Sequence, residues 1–118
     1  MTNDPRLSLR LHFDSGLTLG RGKADLLQGI DEEGSISAAG RRMKMSYRRA
    51  WSLVEEMNAH FDAPLVDSSR GGAKGGGAQL TERGRQVLAD YRALEQLLRD
   101  KGAEQLARLR AGQRSVST

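Results

Sequence analysis

Apolar and polar residues alternate near the start of the chain. Leucine or phenylalanine occupies every second position between residues 7 and 13. This period of two predicts a half-buried β-strand. Residues 14–16 (Asp-Ser-Gly) are typical of a turn, and the apolar segment at 17–20 is too short to assign.

A helical period then replaces the alternation. Apolar residues recur at spacings of three and four between Lys23 and Glu33, which predicts a helix. Gly34 follows as a typical helix stop. A very short helix over about 38–43 comes next, with Ser37 as its candidate N-cap.

A longer amphipathic helix is predicted from Ser46, its candidate N-cap, to about His60. Its apolar stripe consists of Ala50, Trp51, Val54, Met57 and Phe61. A short helix, a tight turn and an amphipathic helix together are typical of a helix-turn-helix motif. The segment at about 46–60 is therefore the candidate recognition helix.

A predicted β-hairpin follows this motif. Residues 64–68 and 78–80 have strand character, and the glycine-rich loop between them contains Arg70 and Lys74. Glycine lets a backbone approach its partner closely. A basic hairpin directly after a helix-turn-helix motif predicts a wing, at about 65–80.

The last predicted helix is long, spanning about 82–110 after Thr81, its candidate N-cap. Gly102 is a candidate break within it, and residues 111–118 resemble a disordered tail. Its apolar residues follow a 4-3-4 spacing, which is typical of a helix pair. These residues are Val87, Tyr91, Leu94 and Leu98. We favour pairing with the same helix of a second copy, and the alternative is packing on the helix's own domain.

The predicted fold class is thus mainly α with a small β-hairpin. A winged helix-turn-helix domain would occupy residues 1–81, and the helix at 82–110 would serve dimerisation. A two-fold dimer would hold two recognition helices about 34 Å apart, one helical turn of DNA, and would fit a palindromic site.

Composition narrows the chemistry that this fold can carry. The chain has 118 residues, a net charge of +4 and a sequence pI near 10.0. It lacks cysteine, which excludes disulfides, iron–sulfur clusters and thiol catalysis. His12 and His60 lack the spacing of a metal site. We therefore expect no metal and no cofactor, and the basic charge favours a polyanionic partner.

Membrane insertion and secretion both require long apolar segments. No apolar run of the sequence approaches the ~20 residues that span a bilayer. The start of the chain also lacks the basic and apolar regions of a signal peptide. We therefore expect a cytoplasmic protein that makes no contact with a membrane.

Binding to double-stranded DNA is the function that the basic and polar residues favour. The candidate contacts are Ser37, Arg41, Arg42, Lys44, Ser46, Tyr47, Arg48, Arg49, Ser52, Arg70 and Lys74. Those in the first two turns of the recognition helix are candidates for reading bases, since arginine matches the paired acceptors of guanine. The cations of the turn and the wing are candidates for phosphate contacts. The alternative is a solvated basic face on an ordinary helix.

Enzymatic chemistry is poorly supported. The glycine-rich loop lacks the G-x-x-x-x-G-K-[ST] pattern of a nucleotide-binding loop, because residues 75–77 are followed by Ala-Gln-Leu. The acidic pairs at 32–33 and 55–56 are adjacent in predicted helices, so their side chains diverge by about 100°. We therefore expect no catalytic residues and no enzyme.

Four segments together carry a family resemblance: GSISAA at 34–39, MSYRRAW at 45–51, EMN at 56–58 and GGAKGGGAQLTERG at 71–84. They are similar to the N-terminal DNA-binding domain of the ModE-type, molybdate-responsive transcriptional regulators, a winged helix related to the LysR-type head. The resemblance covers about residues 7–98. It implies that the helix at 46–61 enters the major groove, that the loop at 71–77 is the wing, and that the helix from Thr81 contributes to a dimer.

The sequence departs from this family after Leu98. Full-length members carry C-terminal molybdate-binding β-barrels, whereas the twenty residues after Leu98 have no strand pattern. We therefore expect no bound molybdate in this chain. The resulting hypothesis is a homodimeric, sequence-specific transcriptional regulator. The alternatives are a non-specific architectural DNA-binding protein and a protein-interaction adaptor.

Overall fold

The computed structural model of the chain describes residues 6–68 and 77–114. In chain order the elements of these ranges are β1 (Leu11–His12), β2 (Thr18–Leu19), α1 (Arg21–Glu33), α2 (Ile36–Arg42), α3 (Tyr47–His60), β3 (Val66–Ser68), β4 (Ala78–Leu80), α4 (Glu82–Lys101) and α5 (Ala103–Gly112). β1 pairs with β2 and β3 pairs with β4, both antiparallel. The predicted fold class, mainly helical with a small hairpin after a helix-turn-helix motif, is confirmed.

β1 and β2 form a hairpin that is shorter than the strand predicted at 7–13. Leu11 pairs with Leu19, and Gly16 turns the chain between the strands at a φ of 98°. Glycine adopts this left-handed conformation at little steric cost. β2 ends just before α1 begins at Arg21, so the ladder does not extend back to residues 7–10.

Two residues connect α1 to α2. Gly34 ends α1 at a φ of 81°, and its N–H donates to the Ile30 carbonyl at 2.9 Å, which confirms the predicted helix stop. The N-cap of α2 is Ser35, whose Oγ accepts a hydrogen bond from the Ala38 N–H at 3.0 Å. Ser35 has the extended backbone of an N-cap, whereas Ser37 lies inside the first turn. The prediction that Ser37 caps this helix is therefore wrong by two residues.

α1 lies at the centre of the hydrophobic core. Its residues Leu26, Leu27 and Ile30 are fully buried. The other buried apolar residues are Leu17, Leu19, Ala24, Ile36, Ala39, Ala50, Leu53, Val54, Met57, Leu65, Val66, Ala78, Leu80 and Tyr91. Small residues allow α2 to lie close to α3. The distance shows how close: a Cβ built at Gly40 would lie only 3.2 Å from the Cβ of Ala50. This close packing fixes the orientation of α3 relative to α2.

The first half of α4 packs against the rest of the fold. Tyr91 is only 1% exposed, and its hydroxyl donates to the Leu9 carbonyl at 2.6 Å. The guanidinium of Arg92 donates to Asp25 of α1 at 2.7 Å. Tyr91 therefore belongs to the core of its own chain, and the prediction that it lines a dimer seam is corrected. The spacing of apolar residues identified the right helix face but the wrong neighbour for this residue.

Gly102 separates α4 from α5, as the candidate break predicted. Its N–H donates to the Leu98 carbonyl at 2.8 Å, and Gly102 is the C-cap of α4. α5 then runs to Gly112, so the first two residues of the predicted disordered tail are helical; residues 115–118 lie outside the described residues. Within the described ranges, no helix is long and apolar enough to cross a membrane.

Candidate nucleic-acid interface

α3 has one buried face and one solvent-exposed face. Its buried residues are Ala50, Leu53, Val54 and Met57. Arg48, Arg49 and Ser52 are exposed on the other side, as the amphipathic pattern predicted. Leu53 was missing from the predicted stripe, and Trp51 is only half-buried. The helix is thus anchored along one side and presents polar side chains in its first two turns.

Ser46 determines where α3 begins. Its backbone is extended, and its Oγ accepts a hydrogen bond from the Arg49 N–H at 3.0 Å. This is the N-cap geometry that the sequence predicted. The cap orders the first turn, and this turn carries Tyr47, Arg48 and Arg49.

Tyr47 stands out from the surface beside the cap. Its side chain is 58% exposed, and its ring stacks on Trp51 with centroids 6.4 Å apart and an angle of 16° between the planes. The two rings are four residues apart, a spacing at which helical side chains are neighbours. Trp51 therefore supports the Tyr47 ring in a fixed position on the exposed side of the helix.

The turn between α2 and α3 places a cation in an unusual backbone conformation. Lys44 has a φ of 60°, in the left-handed region, and its side chain is exposed. Hydrogen bonds hold the turn on both sides of it, from the Lys44 N–H to the Arg41 carbonyl at 3.0 Å and from the Met45 N–H to the Gly40 carbonyl at 2.9 Å. A non-glycine residue in this conformation costs about 1–2 kcal/mol. The fold thus fixes the location of this predicted phosphate contact.

Arg41 and Arg42, at the end of α2, have partners within the chain. Arg41 donates to the Oγ of Ser37 at 2.8 Å. Arg42 contacts the carboxylates of Glu32 at 2.6 Å and Glu33 at 3.3 Å. Hydrogen bonds from Gln28 and Arg42 lower the pKa of Glu32.

The two ion pairs of Arg42 were not predicted from the sequence. They form because the two-residue connection brings the acidic end of α1 next to the basic end of α2. All three side chains are substantially exposed, so the ion pairs remain open to solvent. Arg42 would have to leave these carboxylates to reach a DNA phosphate.

The described part of the wing is its base. Val66 pairs with Leu80, and Ser68 pairs with Ala78. The N–H of Ala78 donates to the Gly34 carbonyl at 2.9 Å, which ties the wing to the end of α1. Arg70 and Lys74, the predicted wing contacts, lie outside the described residues.

Asn58 of α3 holds the first wing strand. Its Oδ1 accepts hydrogen bonds from the N–H groups of Leu65 at 2.8 Å and Val66 at 3.1 Å. Its Nδ2 donates to the Val66 carbonyl at 3.2 Å. Sequence reasoning assigned this asparagine no role. Its position in the EMN segment at 56–58, which carries part of the family resemblance, was the available signal.

A short helix, a tight turn, an anchored amphipathic helix and an antiparallel hairpin tied to it define a winged helix-turn-helix domain. The family model described as bacterial regulatory helix-turn-helix protein, lysR family, matches residues 24–85. The chain belongs to this family.

Three named relatives locate the chain within the family. It is 42% identical over 87 residues to the molybdenum transport protein ModE of Azotobacter vinelandii, covering 74% of this chain and 32% of the relative. It is 43% identical over 81 residues to the molybdenum-pterin-binding protein MopB of Rhodobacter capsulatus, covering 69% and 30%. It is 37% identical over 75 residues to the DNA-binding transcriptional dual regulator ModE of Escherichia coli K12, covering 64% and 29%. The resemblance to ModE-type regulators is confirmed, and the chain spans about a third of the length of these relatives.

Solved structures with DNA share the fold. The crystal structure of the CbnR_DBD–DNA complex superposes with a TM-score of 0.59 at 22% identity, covering 75% of this chain and 95% of the other. Full-length CbnR complexed with its target DNA superposes with a TM-score of 0.54 at 20% identity, covering 71% and 27%. At these identities the likeness shows the fold, and it confirms the winged helix-turn-helix architecture.

Proposed function

We propose that this chain binds double-stranded DNA at specific sequences and acts as a ModE-like transcriptional regulator. The observation that carries the proposal is that α3 has one buried face and one exposed face. Arg48, Arg49 and Ser52 are exposed, and the opposite side is locked into the core. A helix that enters a major groove needs these two properties together. The names of the relatives, which include transcriptional regulators, support the same function.

Different residues would supply affinity and sequence choice. Arg48 and Arg49 would read base edges, because a guanidinium can donate two hydrogen bonds to guanine. Lys44, exposed in the turn, would contact a phosphate, which carries no sequence information. The role is one of binding, with no catalytic step, and it would be performed in the cytoplasm.

Fluorescence anisotropy can test whether different residues supply affinity and sequence specificity. A duplex selected from a genomic-fragment pool is compared with a random duplex of equal length, at two salt concentrations. Arg49→Ala should relax the preference at one base position, at a cost of about 1–3 kcal/mol for the selected duplex. Lys44→Asn should weaken both duplexes alike and lower the salt slope by about one, and asparagine tolerates the left-handed backbone at this site.

The outcomes separate the competing functions. Equal wild-type affinity for the two duplexes would make the chain a non-specific architectural protein. No salt-dependent binding to either duplex would favour a protein-interaction adaptor. Repeating the titration with molybdate tests whether the ligand chemistry in the relatives' names has any effect on this chain.

We also propose that the chain forms a homodimer through the second half of α4. Leu94, Leu97 and Leu98 are 39%, 51% and 43% exposed, and all three lie in the second half of α4. Exposed leucines on one helix are the composition expected of a helix-pair seam. The relevant part of the predicted seam is therefore Leu94 and Leu98, while Val87 is half-buried against the core of its own chain.

Sedimentation equilibrium provides the test of the dimer. The double variant Leu94→Ala/Leu98→Ala should shift the chain toward monomer, and Gln96→Ala, an exposed neighbour on the same helix, should leave the association constant unchanged. If both variants remain as dimeric as the wild type, the second half of α4 is not the interface. A dimer also predicts a palindromic DNA site with half-sites about 34 Å apart.

A further inference from the structure

A cleft beside the candidate recognition helix is lined by three cations from three separate parts of the chain. Arg10 precedes β1, Lys23 is in the first turn of α1, and Arg49 is in the first turn of α3. The cleft has a volume of about 330 Å³. None of the described residues that line it is acidic. Neither the sequence pattern nor the family resemblance singled out Arg10 or Lys23.

The charges of this cleft are only partly neutralised. Lys23 lies 3.6 Å from the carboxylate of Glu56, and its side chain is 14% exposed. Within residues 6–68 and 77–114, Arg10 and Arg49 have no ion-pair partner. Both side chains are exposed. The cleft therefore presents two guanidinium groups to solvent at the edge of the exposed surface of α3.

The fold holds Arg10 at this location. A Cβ at Gly20 would lie 3.7 Å from the Cγ and 3.5 Å from the Nε of Arg10, so the arginine stem passes over the glycine that precedes α1. Leu11 and Leu19 pair in the hairpin next to it, and the Leu9 carbonyl accepts the hydroxyl of Tyr91. The two neighbours of Arg10 in the chain are therefore both held in place, Leu9 by its hydrogen bond to Tyr91 and Leu11 by its pairing with Leu19.

The cleft and the wing lie at opposite ends of α1. Arg10 is at the N-terminal end, over Gly20, whereas the wing strand residue Ala78 donates to the Gly34 carbonyl at the C-terminal end. A helix of 13 residues is about 20 Å long. A contact made at the cleft is therefore separate from any contact made at the base of the wing.

We propose that Arg10 binds a backbone phosphate of the DNA duplex whose major groove receives α3. This inference rests on the proposed DNA-binding function. The major groove is about 12 Å wide, so a helix within it has phosphates on either side within reach of neighbouring side chains. Arg49 would face the major groove, and Arg10 lines the same cleft as Arg49. Guanidinium groups pair well with phosphate oxygens, often through two hydrogen bonds. The N-terminal hairpin thereby adds a positioning contact to the interface.

The test compares three variants of the full chain in the anisotropy titration, over about 50–200 mM salt. Arg10→Gln keeps most of the stem over Gly20 and removes the charge, and Arg10→Lys keeps the charge. Arg108→Gln is the matched control, an exposed arginine on α5 that pairs with Glu104. Arg10→Gln should lower the salt slope by about one and weaken selected and random duplexes by the same factor, on the order of tenfold. Arg10→Lys should retain the slope, and Arg108→Gln should match the wild type.

Each other outcome overturns the inference in a recognisable way. If Arg10→Gln has the salt slope of Arg108→Gln while the wild type binds DNA, Arg10 contacts no phosphate and the proposed function stands. If Arg10→Gln changes the ratio between the selected and random duplexes, the residue acts on bases instead. If Arg10→Lys is as weak as Arg10→Gln, the charge is not responsible. If the wild type itself fails to bind either duplex, the inference and the proposed function fall together.

Discussion

Asn58 and Val66 exchange two hydrogen bonds that join the candidate recognition helix to the wing. The Asn58 Oδ1 accepts the Val66 N–H at 3.1 Å, and its Nδ2 donates to the Val66 carbonyl at 3.2 Å. The same oxygen also accepts the Leu65 N–H at 2.8 Å. One side chain thus satisfies three backbone groups at the start of β3. This amide is therefore one of the contacts that set the angle between α3 and the wing.

Asn58→Ala should therefore destabilise the fold and weaken DNA binding without changing its sequence preference. Part-buried backbone groups would lose their partners, at a cost of about 1–3 kcal/mol. Urea unfolding measures the loss of stability, and anisotropy measures binding to selected and random duplexes. Gln79→Ala, an exposed position on β4, is the control and should change stability by no more than about 0.5 kcal/mol. Equal stability of the two variants would show that the amide does not hold the wing.

Gly84 lies where α4 passes the backbone of Leu65. A Cβ at this glycine would come within 2.0 Å of the Leu65 carbonyl oxygen, which is backbone and cannot rotate away. We expect Gly84→Ala to destabilise the chain by about 3 kcal/mol or more, through displacement of α4. The control is Gly112→Ala, because a Cβ there meets no atom within 4 Å. A thermal midpoint of Gly84→Ala equal to that of the control would mean that α4 shifts freely at this contact.

Much of this architecture follows from local signals in the sequence. Ser46 and Thr81 were predicted as N-caps, and each side-chain oxygen accepts a backbone N–H three residues later. A cap acts within one turn, so adjacent residues are sufficient to predict it. Where two serines lie two residues apart, as Ser35 and Ser37 do, the local signal is ambiguous, and the prediction of Ser37 as the N-cap is wrong.

Contacts between residues far apart in sequence escaped prediction. The spacing of Tyr91 identified an apolar helix face, but it did not reveal that the Leu9 carbonyl, 82 residues away, accepts its hydroxyl. Arg10 and Arg49 share a cleft only because the N-terminal hairpin packs beside α3. The spacing of apolar residues indicates which side of an element is buried. Tertiary packing determines which residues that side contacts.

The free energy of unfolding should fall at alkaline pH because the buried phenol of Tyr91 titrates there. Burial raises the pKa of its phenol, so the folded state retains a proton that the unfolded state loses. The resulting stabilisation is complete below about pH 10 and disappears as pH rises through the folded-state pKa. Tyr91→Phe removes this titration and also the hydrogen bond to Leu9, costing about 1 kcal/mol at neutral pH. Urea unfolding between about pH 8 and pH 11 should show a steeper decline for the wild type than for the variant, and parallel declines would contradict the assignment.

The ion pairs of Arg42 should compete with DNA. Arg42 is a candidate phosphate contact, but in the free chain it contacts Glu32 and Glu33. Glu32→Gln keeps the shape of the side chain and removes its charge, so Arg42 retains only its ion pair with Glu33 and the surface becomes more positive. The gain is small because exposed ion pairs are weak and screened by salt. We expect DNA affinity to rise about two- to fivefold at low salt, with the gain declining as salt is added.

In this explanation the rise in DNA affinity caused by Glu32→Gln comes from Arg42, so it should depend on the presence of Arg42. In a double-mutant cycle, Glu32→Gln should tighten binding much less in the Arg42→Gln background than in the wild type. Glu104→Gln is the control for net charge alone, since Glu104 forms an exposed ion pair with Arg108 within α5. If Glu104→Gln tightens binding as much as Glu32→Gln, the effect comes from the overall charge. If the cycle is additive, Arg42 stays on its carboxylates in the complex and serves to lock α1 to α2.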